Sequence, residues 1–234
     1  VETQWSKVHV GEKVQSLDPL RYYRISGRTL SENVQSLLTR ENARIIQIKF
    51  DGIPKTDGEN ARITILGEQL TASLVFDNRP PSYVEPNASE TRLFQSFYGW
   101  EIISDRPVFD ADCFTMMDFN VKQEGATQFM YVLPLDEQRA LVEITRFGEA
   151  LLPSERAEQA LLSYLTEHSI PYSIEDKEMG VIPMFSHSIS VNKSSSTWIN
   201  TGERAGMLKP STGYSFERSL TYAIQVVEGI KTNR

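Results

Sequence analysis

The stretch that most constrains the fold runs from Thr127 to Phe147 and reads TQFMYVLPLDEQRALVEITRF. Two apolar runs flank a polar turn at residues 134–138, a pattern typical of a β-hairpin. Successive side chains of a strand point to opposite faces. The second run therefore has two largely apolar faces, one with Ala140, Val142 and Ile144 and the other with Leu141, Glu143, Thr145 and Phe147. This predicts a strand that is covered on both sides.

Glu143 is the one carboxylate in the middle of this predicted strand. Burial disfavours the charged form of a carboxyl group and raises its pKa. A carboxylic acid that stays protonated near neutral pH can act as a general acid. The alternative is a structural glutamate, exposed at the rim or paired with Arg139 or Arg146 if the alternation slips. Spacing alone leaves both interpretations open.

The composition excludes several classes of function. The 234 residues carry a net charge of −7, which argues against nonspecific nucleic-acid binding because that binding needs clustered lysine and arginine. The three histidines are far apart in the sequence, so no metal site is expected. The single cysteine, Cys113, lies in an apolar stretch without a basic neighbour, which favours packing over nucleophilic chemistry and fits a reducing compartment.

The remaining pattern predicts a mixture of strands and helices, with fold class α/β or α+β. Strands are expected at residues 7–10, 22–25, 43–50, 62–66, 73–77, from 93 onward, 114–121, 178–184 and 197–200. Helices are expected from Thr29 to Arg40, with Thr29 as N-cap and an apolar stripe at residues 34, 37 and 38, from an N-cap at Ser154 to before Pro171, and over residues 216–229. Asp118 is a second carboxylate in apolar surroundings, on a strand that we expect beside the hairpin.

A glycine-containing loop at residues 201–214 lies between a predicted strand and a predicted helix. Backbone N–H groups at such a position can approach a bound anion or polarised group. The loop can equally be a simple connection. No GxGxxG or P-loop sequence is present.

Several blocks of this sequence together resemble the flavin-dependent lycopene cyclases of carotenoid biosynthesis. These blocks are FQSFYGWEI (94–102), MMDFN (116–120), FMYVLPLDEQRALVEITRF (129–147), EMGVIPM (178–184) and GERAGMLKPSTGYSF (202–216). The resemblance implies a flavoprotein hydroxylase-like architecture, with a mixed β-sheet domain that covers the substrate and a partial FAD-binding domain. It places residues 1–85 and 191–234 in the FAD-binding region and residues 86–190 in the covering sheet.

The reaction that the resemblance implies is a redox-neutral isomerisation of a linear polyene, lycopene, by a lycopene beta-cyclase. A terminal double bond is protonated, the carbocation is attacked by a neighbouring double bond, and a proton is lost after the ring closes. Glu143 matches the acidic residue of the family motif, and Asp118 matches the family's MD block as a charge stabiliser or base. The implied cofactors are reduced FAD, in a non-redox role, and NADPH as its reductant. A membrane-dissolved substrate further implies a cytoplasmic protein in peripheral contact with a membrane.

The residues that the resemblance assigns to the flavin contact lie in the glycine-containing loop: Gly202, Glu203, Ala205, Gly206, Pro210, Ser211, Thr212, Gly213 and Tyr214. The sequence departs from the family pattern in three respects. Ile144 occupies a position that is usually also acidic, and Glu203 occupies one where related flavoproteins often carry aspartate. The glycine-rich strand–turn–helix that opens the family's flavin domain is missing, so we interpret the chain as an internal portion or a reduced relative.

Two other functions agree with the sequence. A carotenoid- or isoprenoid-binding module would keep an apolar binding region without catalysis. A flavin monooxygenase relative would use the same fold to oxidise an alkene. Dependence of activity on Glu143 separates the cyclase from the binding module, and consumption of oxygen and NADPH marks the monooxygenase.

Overall fold

The alternating residues 127–147 form the central hairpin of a mixed sheet, as predicted. The computed structural model describes residues 3–38, 43–81, 90–185 and 195–232. The first strands of this described part are β1 Thr3–Trp5, β2 Lys7–Val10, β3 Lys13–Ser16, β4 Tyr22–Arg24, β5 Lys55–Thr56, β6 Ala61–Ile65, β7 Glu68–Ala72 and β8 Val75–Asp77. The later ones are β9 Arg92–Ile103, β10 Cys113–Asp118, β11 Thr127–Pro134, β12 Arg139–Gly148, β13 Ser173–Phe185 and β14 Trp198–Asn200. The α-helices are α1 Gly27–Leu38, α2 Ser154–Glu167 and α3 Phe216–Thr232.

The described residues divide into two compact units. The first comprises Val1–Ile45 and Leu93–Ile182, and the second comprises Ile46–Arg92 and Pro183–Arg234. In this division the N-terminal strands β1 to β4 group with the large sheet, and the domain ranges expected from the sequence stay a prediction. They do so through β2, which pairs in parallel with β10.

The first unit is built on the sheet β13-β9-β12-β11-β10-β2-β3. Strand β12 lies between β9 and β11 and is antiparallel to both, so its backbone groups are paired along both edges. Helix α2 covers one face of this sheet with the predicted stripe, Ala157, Leu161, Tyr164 and Leu165. The strand side chains that meet it include Ala140, Val142 and Ile144, which confirms the predicted alternation of β12.

A second cluster of buried side chains comprises Trp5, Val8 and Phe114, with Tyr22, Met116 and Leu133 packed against it. The Tyr22 and Phe114 rings stack with their centroids 4.5 Å apart. Leu133 belongs to the same face of the hairpin as Glu143, because odd-numbered residues of β11 pair with odd-numbered residues of β12. Apolar packing therefore occurs on both sides of the sheet, which agrees with the two apolar faces in the sequence.

The predictions for helices α1 and α2 need correction. Helix α1 begins at Gly27 rather than after Thr29, because the Ser26 hydroxyl oxygen accepts a hydrogen bond from the Thr29 backbone N–H at 3.3 Å. Its expected apolar stripe is present but exposed in the described structure. Helix α2 has Pro153 rather than Ser154 at its N-cap, without a side-chain cap bond.

The strand expected at residues 43–50 does not form. Residues 43–54 have no regular secondary structure, and β6 pairs with β5 and β7 instead. Arg79 Nη1 donates hydrogen bonds to the carbonyl oxygens of Phe50, at 3.1 Å, and Gly52, at 2.7 Å. The arginine side chain thus satisfies backbone groups that a neighbouring strand would otherwise pair. In this same unit β8 and β14 form a parallel pair.

No helix among the described residues is long and apolar enough to cross a membrane.

Candidate functional site

Glu143 lies at the centre of β12, opposite Tyr131 of β11 and Gly99 of β9. Its side chain points to the face opposite helix α2, and the residue is half-buried. Thr145 Oγ1 donates a hydrogen bond to Glu143 Oε1 over 2.8 Å. Thr145 is fully buried, so this hydrogen bond fixes one carboxyl oxygen against the sheet.

The arginines that were alternatives for pairing with Glu143 lie elsewhere. Arg139 Nε binds Asp136 Oδ2 at 2.9 Å, beside the turn of the hairpin. Arg146 has the parity of Ile144 and therefore belongs to the α2 face. Within the described ranges Glu143 forms no ion pair with lysine, arginine or histidine.

The surroundings of Glu143 favour its protonated form. Burial is the main cause, and the neighbouring Glu178 carboxyl group adds to it, so that the pKa of Glu143 rises from 4.5 to about 8. The hydrogen bond from Thr145 acts in the opposite direction. Glu143 is therefore a carboxylic acid that holds its proton through neutral pH, as the sequence pattern suggested.

Aromatic side chains share the face of Glu143. The rings of Phe129 and Tyr131 meet edge to face with centroids 5.2 Å apart, and Phe147 lies 5.7 Å from Phe129. Phe97 pairs with Thr145 across β9 and β12 and so points to the same side. An acid without a cationic partner thus stands among electron-rich, uncharged rings.

Two glycines lie against side chains of this face, and the sequence pattern does not single them out. A Cβ on Gly99 would lie 2.9 Å from Leu141 Cδ1, 3.1 Å from Glu178 Cγ and 3.4 Å from Glu143 Cβ. A Cβ on Gly180 would lie 2.2 Å from Phe97 Cζ, so the Phe97 ring covers this glycine. The blocks 94–102 and 178–184 contain these positions, but only the folded structure places Gly99 beside Glu143 and Gly180 against Phe97.

Asp118 is not beside Glu143. Tyr164 of helix α2 donates its hydroxyl hydrogen to Asp118 Oδ2 over 3.0 Å, and the Asn120 backbone N–H binds Oδ1 at 2.9 Å. Asp118 pairs with Met130, a residue of the core under α2, and so it points to that face. The structure places the two acids expected to act together on opposite faces of the sheet.

A β-bulge causes this separation. Thr115 pairs with Val132 and Asp118 pairs with Met130, so three steps along β10 match two along β11. Met117, with φ 55°, lies inside the irregularity. Strict alternation from Thr115 would have turned Asp118 toward Glu143, and the extra residue turns it toward α2 instead.

A cavity of about 550 Å³ lies on the α2 side of the sheet. Its lining includes Phe119, Val121, Leu152, Arg156 and Tyr164, and Glu143 is not among the lining residues. Its mouth carries the ion pair between Arg156 Nη1 and Glu124 Oε2, at 2.7 Å. This cavity is therefore separate from the acid.

The glycine-containing loop belongs to the second unit. Gly202 adopts φ 58°, and a Cβ there would lie 2.0 Å from Asn78 Oδ1, so only glycine fits. Gly206, with φ 69°, ends the 3-10 turn Gly202–Ala205. Arg204 Nε anchors this turn by an ion pair with the buried Asp77 Oδ2 at 3.2 Å.

Glu203 is the polar residue of this loop that stands out. Its Oε1 atom is buried and has no hydrogen-bond partner within the described ranges. Burial raises the pKa of Glu203. A buried oxygen without a donor fits a bound hydroxyl or N–H group, because such an atom is costly to leave unsatisfied. The remaining predicted loop residues, from Pro210 to Tyr214, follow in a turn in which Lys209 N donates to Tyr214 O at 3.0 Å.

Among residues 3–38, 43–81, 90–185 and 195–232, no three His, Cys, Asp or Glu side chains group to hold a metal ion. Cys113 is half-buried in β10, and burial raises the pKa of its thiol. A thiol with a raised pKa is a packing residue rather than a nucleophile, in agreement with the sequence analysis.

Comparison with known proteins agrees with these observations. A lycopene beta-cyclase from Paracoccus sp. (strain N81106 / MBIC 01143) is 29% identical over 191 residues, which cover 78% of this chain and 46% of the relative. The chain spans about half the length of the curated relatives it matches.

Solved structures share the fold. A geranylgeranyl bacteriochlorophyll reductase-like protein from Thermoplasma acidophilum is similar with a TM-score of 0.67 at 14% identity, over 100% of this chain and 64% of that one. The flavin-dependent brominase Bmp2 is similar with a TM-score of 0.51 at 10% identity, over 86% and 55%. The mixed α/β architecture expected from the sequence is thereby confirmed as the fold of these proteins. The family model described as lycopene cyclase protein matches residues 1–233, and the chain therefore belongs to the lycopene cyclase family.

Proposed function

We propose that this chain carries out the acid-catalysed, redox-neutral ring closure of a linear polyene, as a lycopene beta-cyclase, with Glu143 as the general acid. The observation that carries the proposal is the position of Glu143: half-buried in the middle of a sheet, among aromatic rings, and without an ion-pair partner in the described structure. Relatives of similar sequence are named lycopene beta-cyclases, which supports the same reaction.

The reaction that we propose uses the Glu143 proton. The proton moves from the Glu143 carboxyl oxygen to the terminal double bond of the polyene, which leaves a carbocation and a carboxylate. A neighbouring double bond then donates its electron pair to the cation and forms the carbon–carbon bond of the ring. Loss of a ring proton to the Glu143 carboxylate restores both the double bond and the acid, so that the product is an isomer of the substrate. Asp118 has no part in this scheme, because it points to the other face.

The groups around Glu143 can stabilise the carbocation intermediate electrostatically. Phe129 and Tyr131 present rings on the same face, and an aromatic ring attracts a cation by roughly 0.5 to 2 kcal/mol, more where water is excluded. No lysine or arginine in the described ranges pairs with Glu143, so no fixed positive charge opposes the carbocation there. Burial makes each of these electrostatic effects larger than in water.

The loop of the second unit fits a flavin, which we propose to be FAD. Gly206 and Gly213 carry no side chain that would keep a ligand from the backbone, Gly202 lets the turn pack against Asn78, and the unpartnered Oε1 of Glu203 can accept a hydrogen bond from the ligand. Ala205 and the segment from Pro210 to Tyr214 complete the contact surface. A reduced flavin held there would supply electron density, and NADPH would supply the electrons that keep it reduced. The similarity in fold to a flavin-dependent brominase supports a flavin rather than another cofactor.

The solubility of the proposed substrate in membranes leads us to propose a cellular location for the protein. Lycopene dissolves in membranes, so we propose a cytoplasmic protein in peripheral contact with a bilayer. The net charge of −7 gives no electrostatic attraction to anionic lipid, so apolar side chains would have to make that contact.

Expression in a lycopene-accumulating host tests the proposal. The unsubstituted protein should turn the pigment from red to orange, and chromatography should show cyclised product. Glu143→Gln keeps the shape of the protonated side chain without its acidity, so it should abolish the product. Glu175→Gln, at an exposed glutamate of β13, is the matched control and should retain activity.

Three outcomes would overturn the proposal. Equal conversion by the Glu143→Gln variant would show that Glu143 is not the acid. Retention of unchanged lycopene by the purified protein, without product, would select a carotenoid-binding module. Consumption of oxygen and NADPH in proportion to product would select a monooxygenase.

A further inference from the structure

A second carboxyl group approaches Glu143 across β9. Strand β9 lies between β12 and β13, and Glu143 is paired directly with Gly99 of β9. On the other side of Gly99 lies Glu178 of β13, whose Cγ is 3.1 Å from the position that a Gly99 Cβ would occupy. Glu143 Cβ is 3.4 Å from that same position. Three neighbouring strands thus place glutamate, glycine and glutamate in one row.

The glycine makes the approach possible. A side chain at residue 99 would stand between the two glutamates, because it would occupy the space into which both carbon chains reach. Without it, the two glutamate side chains approach each other across Gly99, and the Glu178 carboxyl group helps to raise the pKa of Glu143. Two carboxyl groups in such contact cannot both be ionised without strong repulsion, so one of them keeps a proton.

The difference in burial decides which glutamate keeps the proton. Glu143 is half-buried in the centre of the sheet, whereas Glu178 is exposed on the edge strand β13. Water stabilises the charge of the exposed carboxylate, and it cannot do so equally well for the buried one. Glu143 is therefore the carboxyl group of this pair whose protonated form is favoured.

The other charged and titratable groups near this row do not replace Glu178. Glu101, two residues along β9, faces Arg24 of β4 with 3.6 Å between its Oε2 and the guanidinium Nη2. Tyr131 of β11 stands opposite Glu143 and is the titratable neighbour on that side. Lys177, next to Glu178, points to the α2 face, where its Nζ binds Glu158 Oε1 at 2.9 Å.

We propose that Glu178 is a positioning residue for the reaction, which shares one proton with Glu143 across Gly99 and keeps Glu143 in its acidic form at neutral pH. Its catalytic consequence rests on the proposed function, in which Glu143 protonates the polyene. The contact between the two glutamates does not depend on that function.

The test is a titration of Glu143 that does not require activity. Protein labelled with ¹³C at the glutamate carboxyl carbons is titrated by NMR, and Glu143→Gln assigns the signal. In Glu178→Gln, the midpoint of the Glu143 signal should fall by about one pH unit, since a neighbouring negative charge has been removed. Glu178→Asp keeps the charge and should restore much of the difference. Glu175→Gln, on the same strand, should leave the midpoint unchanged.

Activity provides the second readout. In Glu178→Gln the midpoint of Glu143 should fall by about one pH unit from about 8. The protonated fraction of Glu143 at about pH 7.5 should therefore fall roughly threefold, and kcat should fall by the same factor. Activity should return in Glu178→Gln as the pH is lowered, which a merely structural defect would not show. An unchanged Glu143 midpoint in Glu178→Gln would overturn the proposal. A shifted midpoint together with full cyclase activity of Glu143→Gln would overturn the proposed function and leave the proton-sharing pair in place.

Discussion

Replacing Glu143 with glutamine should remove most of the pH dependence of stability that this residue causes. The pKa of Glu143 in the folded chain is about 8, against 4.5 for an ordinary glutamate. Between these two pH values the folded state holds a proton that the unfolded state has released. The stabilisation from Glu143 is therefore complete below about pH 4.5 and is lost progressively as the pH rises toward 8.

The two pKa values determine the size of the effect. Each unit of difference corresponds to about 1.4 kcal/mol, so the free energy of unfolding should fall by about 4 to 5 kcal/mol across this window. Glutamine is neutral at every pH, has nearly the shape of the protonated acid, and can accept the hydrogen bond from Thr145. The variant should exceed the unsubstituted protein by less than about 1 kcal/mol near pH 5 and by about 4 to 5 kcal/mol near pH 9.

Urea denaturation at a series of pH values from about 5 to 9 measures this difference. The buried Trp5 and Trp100 report on the unit that contains Glu143 through their fluorescence. Glu175→Gln, in which an exposed carboxylate is lost, serves as the control and should follow the unsubstituted curve. If the Glu143→Gln and unsubstituted curves run parallel over the whole range, Glu143 is ionised in the folded chain at neutral pH, and its surroundings do not favour the protonated form.

Three further substitutions test the fold and the loop by denaturation and ligand binding. Leu161→Ala, in the core under α2, should lower the free energy of unfolding by about 2 to 5 kcal/mol, whereas Leu162→Ala, at an exposed neighbour, should change it by less than about 0.5 kcal/mol. Tyr164→Phe removes the hydroxyl donor of the buried Asp118 and should cost about 1 to 3 kcal/mol; an unchanged stability would show that this hydrogen bond is dispensable. Gly202→Ala forces a Cβ into a neighbouring asparagine side chain at positive φ, so flavin binding, followed by fluorescence quenching, should be lost; unchanged binding would exclude the loop as its site.

In the central hairpin, the sequence alone predicts which face of the sheet each side chain occupies. Alternation alone assigned Val142 and Ile144 to one face and Glu143 to the other, and the structure has the same arrangement. The spacing of Ala157, Leu161 and Leu165 likewise identified the buried side of α2. These predictions were correct because the periods of strands and helices are local properties of the chain.

Predictions that depended on contacts with other parts of the chain were partly wrong. A strand was expected at residues 43–50, yet Arg79, 29 residues beyond Phe50, supplies hydrogen bonds to this segment instead. The cap of α1 shifted from Thr29 to Ser26, a difference of three residues within one polar stretch. Local composition permits such alternatives, and only tertiary contacts choose among them.

The sequence by itself determined that an acid stands in the middle of an apolar strand and that a glycine-containing loop precedes the last helix. The tertiary structure decided which groups meet that acid. One additional residue in β10 turns Asp118 away from Glu143, and one missing side chain at Gly99 brings Glu178 toward it. Both effects arise from pairing between strands that are distant in sequence, where a single residue changes the face that a side chain occupies.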